Sequence, residues 1–138
     1  MGGTLSLYLA APVIAWLLAH TIKFLILVSK GERGDFFRSG GMPSAHSALM
    51  MSVTVVIGGL DGVESSLFAL GLVVTAIVAY DACHVRLAVG EQAELVNELT
   101  KKNDLKTRVR VVKGHTLLEV VVGLVLGLAV ALLLLQLS

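Results

Sequence analysis

Charge is scarce in this chain. Asp, Glu, Lys and Arg make up 15% of its 138 residues, against about 25% in a usual soluble domain. Hydrophobic residues reach 56% and the mean hydropathy is +0.87. A soluble domain of this size could not hide so much apolar surface, so the chain belongs in a bilayer. Cysteine is scarcer still. Cys83 stands alone, which excludes an intrachain disulfide and leaves the redox compartment open. The N-terminus lacks the basic n-region of a signal peptide, and its first apolar stretch is long enough to be a span. There is no internal repeat and no low-complexity segment, and the length suits one domain over residues 1–138. The net charge of +1 says nothing about partners, and no nucleic-acid partner is expected.

What is present is four apolar runs. Leu5 to Val28 is interrupted by Pro12, His20 and Lys23; at ~1.5 Å per residue it covers about 36 Å. Ser44 to Ile57 is short, roughly 21 Å by the same rise, and could cross only if its start is sunk or sheltered by protein. Val63 to Val85 and His115 to Leu137 are the third and fourth. The third run continues as "RLAVGEQAELVNELTKK", which reads as an amphipathic extension before loosening at "KND". The expected fold is an all-α, four-transmembrane-helix bundle with that extension on the third helix.

An even number of spans puts both termini on one side. Every Lys and Arg except Lys23 then falls on the opposite side, in the connections around Lys30 to Arg38 and Arg86 to Lys113; the termini side has Asp61 and Glu64. The positive-inside rule therefore predicts a basic cytoplasmic face with both termini outside, in the cell's inner membrane. An anion-binding site would also be basic, whichever way it faced.

Polar residues at the ends of apolar runs are expensive and usually face protein or a water-filled cavity. Lys23 follows His20 by one helical turn; snorkelling to the headgroups is its alternative reading. In the third run, Gly71, Thr75, Ala79, Ala82 and Arg86 recur at three- and four-residue steps, a close-packing stripe ending in a cation. Asp81 lies on a different face and could orient Arg86, or the two could form a structural ion pair. In "GHTLLEVVVGLVLG", His115, Glu119, Gly123 and Gly127 are each four apart and share one face. A carboxylate one turn from an imidazole can hold its tautomer; a plain helix-start polar pair is the other reading. "RSGGMPSAHSALM", residues 38–50, places Arg38, two glycines, Pro43, Ser44 and His46 at the mouth of the short second run. Helix-start N–H groups with the dipole behind them attract anions. Two helix-start histidines and several cations, with no carboxylate cluster, suggest phosphate chemistry without a metal. Ligation of a metal or haem by the four histidines is the less favoured alternative, because none shows ligand spacing with another.

These residues resemble the type 2 phosphatidic acid phosphatase superfamily, which includes the vanadium haloperoxidases. Its pattern is a Lys-to-Arg motif, then PSGH, then SRxxxxxHxxxD. "PSAH", Pro43 to His46, resembles the second motif, and "HTLLE", His115 to Glu119, the end of the third. "YDACHVRLAVGEQAELVNEL" with "SGGMPSAHSA" resembles more specifically the compact divergent branch, from about Lys23 to Gly127. The departures are definite. Ala45 stands for glycine, Glu119 for aspartate and Val109 for arginine, with Arg108 and Arg110 beside it. Lys30 precedes Arg38 by eight residues rather than seven.

The resemblance implies a metal- and cofactor-independent phosphatase acting on a membrane lipid phosphate or diphosphate through a phosphohistidine. It makes His115 the nucleophile, Glu119 its orienting carboxylate and His46 the acid to the leaving alkoxide. Lys23, Arg38, Ser44, Arg86 and Arg110 are the candidates for phosphate binding. The rival classes are a non-catalytic lipid-phosphate binder or carrier and a structural small membrane subunit. Four helices provide few walls around a site, which leaves room for a homodimer.

Overall fold

The computed structural model describes residues 2–31, 40–103 and 105–138, with side chains in the first helix from Leu7 onward. Regular structure among the described residues is helical: α1 (Gly2–Ser29), α2 (Ala45–Leu60), α3 (Ser66–Tyr80), a π-helical turn (Asp81–Val85), α4 (Arg86–Lys102) and α5 (Leu117–Leu137). α3, the π turn and α4 follow without a break over Ser66–Lys102, 37 residues. Leu7–Ser29, Ser66–Lys102 and Leu117–Leu137 are long and apolar enough to cross a membrane, and Ala45–Leu60 is a shorter apolar helix.

The four apolar runs thus become four apolar helices, with shifted ends. The third starts at Ser66 rather than Val63, because Ser65 caps it and accepts a hydrogen bond from the Phe68 N–H at 3.2 Å. The fourth starts at Leu117 because Thr116 and Glu119 form a capping box, which satisfies two end groups reciprocally. The amphipathic extension is α4, from Arg86 to Lys102 as expected.

α2 is the central helix and packs against α1, α3 and α5. Small residues make each approach close, as in lipid, where packing rather than the hydrophobic effect holds helices together. On α1, Ala11, Ala15 and Ala19 are fully buried, and Lys23 continues the same four-residue step. On α5, a Cβ at Gly123 would collide with the Ser44 carbonyl and one at Gly127 with the Ala48 carbonyl, so the GxxxG face seats the start of α2. On α3, Gly71 packs on Thr54, and the Thr54 and Thr75 hydroxyls meet at 2.8 Å. Gly71, Thr75 and Ala82 of the expected stripe are buried. At the far end of the bundle, the Tyr8 hydroxyl donates to Asp61 Oδ1 at 2.7 Å and ties α1 to the turn after α2.

The chain after α4 returns along that helix in extended form. The Asn97 side-chain amide donates to the Val109 carbonyl and accepts from the Val109 N–H, both at 2.8 Å. Gly90 and Gly114 allow the contact: a Cβ on Gly90 would come 2.9 Å from the Val112 carbonyl, and one on Gly114 would collide with the Leu87 backbone. This return segment delivers His115 to the bundle.

Candidate active site

A cavity of about 120 Å³ opens at the end of the bundle where α2 and α5 begin. α1 contributes His20 and Lys23, and the start of α2 contributes Ala45 and His46. The π turn and the residue after it supply Asp81 and Arg86; the return segment supplies Lys113 and His115.

His115 is firmly held. It is 7% exposed. Its backbone N–H donates to the Ala82 carbonyl at 3.0 Å, which joins the start of α5 to the π turn. Its Nδ1 lies 3.1 Å from Glu119 Oε2. A carboxylate can only accept, so Nδ1 carries the hydrogen and Nε2 keeps its lone pair. The same Oε2 accepts from the Thr116 N–H at 3.1 Å, and the Thr116 hydroxyl accepts from the Glu119 N–H at 3.3 Å. The capping box therefore fixes the rotamer of the carboxylate that orients the imidazole. Burial holds the His115 ring below the usual imidazole range, while its bond to Glu119 pulls the other way. Neutral imidazole is the form able to attack.

His46, the second residue of α2, is exposed yet lines the same cavity. Lys23 is 4% exposed and in the cavity wall, so its side chain is enclosed by protein rather than reaching out to headgroups. Gly40 and Gly41 carry positive φ, 78° and 82°, a region open to glycine at little cost. A Cβ on Gly40 would lie 2.9 Å from the Lys113 Cβ, and one on Gly41 would rest on the Lys23 side chain. The glycine pair closes the loop over both lysines.

The sequence candidates divide accordingly. His115, Glu119, His46, Lys23 and Arg86 come together. Ser44 does not reach the cavity: it is fully buried, its N–H donates to the Glu119 carbonyl at 3.0 Å, and its hydroxyl accepts from Ser47 at 3.0 Å. The bond to Glu119 seats the start of α2 on α5. Arg110 lies exposed on the return segment, away from the cavity, and Lys113 takes the place beside it. Arg38 lies outside the described residues. The cavity is also lined by His20, Asp81 and Lys113, which the motifs do not single out. His20 had a signal, since it precedes Lys23 by three residues on one helix face. His84 is outside the cavity, its ring stacked on Tyr80 with centroids 4.2 Å apart. Among the described residues no group of three or more His, Cys, Asp and Glu is arranged to hold a metal ion.

Among the described residues the regular structure is helical, with three helices long and apolar enough to cross a membrane and a cavity lined by histidines and cations at one end. The chain belongs to the Divergent PAP2 family, whose model matches residues 6–130 and so includes every site position above. It is similar to the uncharacterized membrane protein YuiD of Bacillus subtilis (strain 168), 35% identical over 91 residues. That alignment covers 66% of this chain and 57% of the relative, so the match spans little more than half of the relative's length. No solved structure matches.

Proposed function

We propose that the chain is a metal-independent phosphatase that removes phosphate from a membrane lipid phosphate or diphosphate. The observation that carries this reading is His115, buried beside Lys23 and hydrogen-bonded to Glu119, in the wall of the same cavity as His46 and Arg86. In the first step His115 Nε2 attacks phosphorus and the P–O bond to the lipid breaks. His46, as imidazolium, gives its proton to the departing alkoxide. In the second step a water attacks the phosphohistidine, His46 takes the water's proton, and inorganic phosphate leaves with His115 restored. Lys23, Arg86 and Lys113 offset the charge on the equatorial oxygens, a contribution worth several kcal/mol in such sites.

A lipid substrate suits the dimensions. α2 has 16 residues, about 24 Å, against a hydrocarbon core of about 30 Å. With all four apolar helices crossing the bilayer, the start of α2 sits below the headgroup plane, sheltered by its neighbours. A phosphate can enter there while its tail remains in lipid. Exposed Tyr80 and His84 mark the interface at the same turn as Asp81 and Arg86, in keeping with aromatic anchoring at the headgroup level.

The test is phosphate release by purified protein from phosphatidate, phosphatidylglycerophosphate and isoprenyl mono- and diphosphates. Release should persist in EDTA and be inhibited by vanadate, which imitates five-coordinate phosphorus. Turnover lost with EDTA and restored by Mg²⁺ would defeat the metal-free mechanism. A lipid phosphate that co-purifies without turnover would make the chain a binder instead.

The distribution of Lys and Arg supports a site at the cytoplasmic face with both termini outside. In a Cys83-free background, a cysteine at position 62 should react with an impermeant reagent in intact cells and one at position 103 should not. The reverse pattern would show that anion binding, not topology, set the charge bias.

A further inference from the structure

A carboxylate in the wall of an anion site calls for an explanation, because its charge repels the ligand. Asp81 lines the cavity, and its Oδ2 accepts from Arg86 Nε at 2.6 Å. In an α-helix, residues five apart are about 140° apart around the axis and do not meet. The π turn over Asp81–Val85 adds the residue that brings them onto one side; such turns often occur at functional sites. The bond engages Nε and leaves the terminal amino groups of the guanidinium to meet a planar or tetrahedral anion as a fork. The pair is part exposed, at 49% for Arg86 and 37% for Asp81, so by itself it adds little to stability. A surface ion pair of that kind has no need of a break in helix periodicity.

We infer that Asp81 is a positioning residue: it holds Arg86 over the cavity so that the guanidinium meets the substrate's phosphate already oriented. This rests on the proposed phosphate site. Two roles for Asp81 predict opposite signs. A carboxylate acting only through its charge weakens anion binding, so its removal tightens binding. A carboxylate that orients Arg86 strengthens anion binding, so its removal loosens it.

The experiment is calorimetric titration of the purified full chain in detergent with inorganic phosphate. Asp81→Asn should weaken phosphate binding about tenfold, as expected when a fixed arginine is released to its rotamers. Asp81→Glu, which keeps the charge on a longer stem, should recover part of the affinity. In an Arg86→Ala background, Asp81→Asn should produce no further weakening, because there is nothing left to orient. Unchanged or tighter binding by Asp81→Asn, with the parent binding normally, overturns the positioning role and leaves the phosphate site standing. Equal weakening with and without Arg86 also overturns it, because the loss then comes from general disturbance of the fold. A parent that binds no phosphate overturns both this inference and the site on which it rests.

Discussion

The two helix starts that carry the histidines are built differently. At the start of α5, His115 is buried, tied through its backbone to Ala82, and hydrogen-bonded through Nδ1 to a carboxylate that a capping box holds in turn. At the start of α2, Ser44 provides no side-chain cap, and His46 stands exposed with no described residue hydrogen-bonded to its ring. A nucleophile must meet phosphorus along one line, and orienting it beforehand removes a large entropic cost from the reaction. An acid that serves the leaving oxygen first and a water second must exchange protons with its surroundings, so an open position suits it. The difference in construction follows the division of labour.

The largest effect should come from the fixed start. His115→Ala removes the attacking nitrogen, and both turnover and trapping of labelled phosphoenzyme under alkaline denaturing conditions should fall to background. If this variant still traps phosphate while His46→Ala does not, the two roles are exchanged.

Next is the open start. His46→Ala should slow release from an alkyl lipid phosphate by about 10²–10⁴-fold, the usual range for a general acid. A substrate with an activated phenol, which departs without a proton, should lose far less. Equal losses on the two substrates in single-turnover assays would show that His46 holds the fold or the phosphate and does not supply the proton.

The smallest effect should come from the link within the fixed start. In Glu119→Gln the amide oxygen can still accept from both His115 Nδ1 and the Thr116 N–H, so the tautomer and most of the cap remain. What is lost is the charge that favours the imidazolium-like transition state. The difference between charged and neutral hydrogen bonds is on the order of tenfold in rate, with the melting temperature little changed. A loss as large as that of His115→Ala would mean that Glu119 does more than orient and stabilise the ring.

The periodic parts of this protein are legible from the chain itself. Four apolar runs become four apolar helices, and "RLAVGEQAELVNELTKK" becomes α4. The common face of Gly123 and Gly127 that meets α2 follows from four-residue spacing on one helix, whereas His115 precedes α5 and reaches Glu119 across the Thr116 cap. A common face depends on a 3.6-residue repeat that operates within a single element, so spacing in the sequence determines it.

Tertiary structure decided the rest of the site, because there the repeat is broken or absent. The π turn shifts the phase of the long helix and joins Asp81 to Arg86, which α-helical spacing places on different faces. The return segment is extended, and its register is set by Asn97 clamping Val109 and by the contacts at Gly90 and Gly114. Arg110 stays exposed, and that anchoring puts Val112 and Lys113 in the cavity wall. Ser44 is a helix-start anion candidate by sequence, but α5 comes so close that its N–H is taken by the Glu119 carbonyl. Each of these outcomes depends on where a second element sits, and spacing along one element carries no information about that.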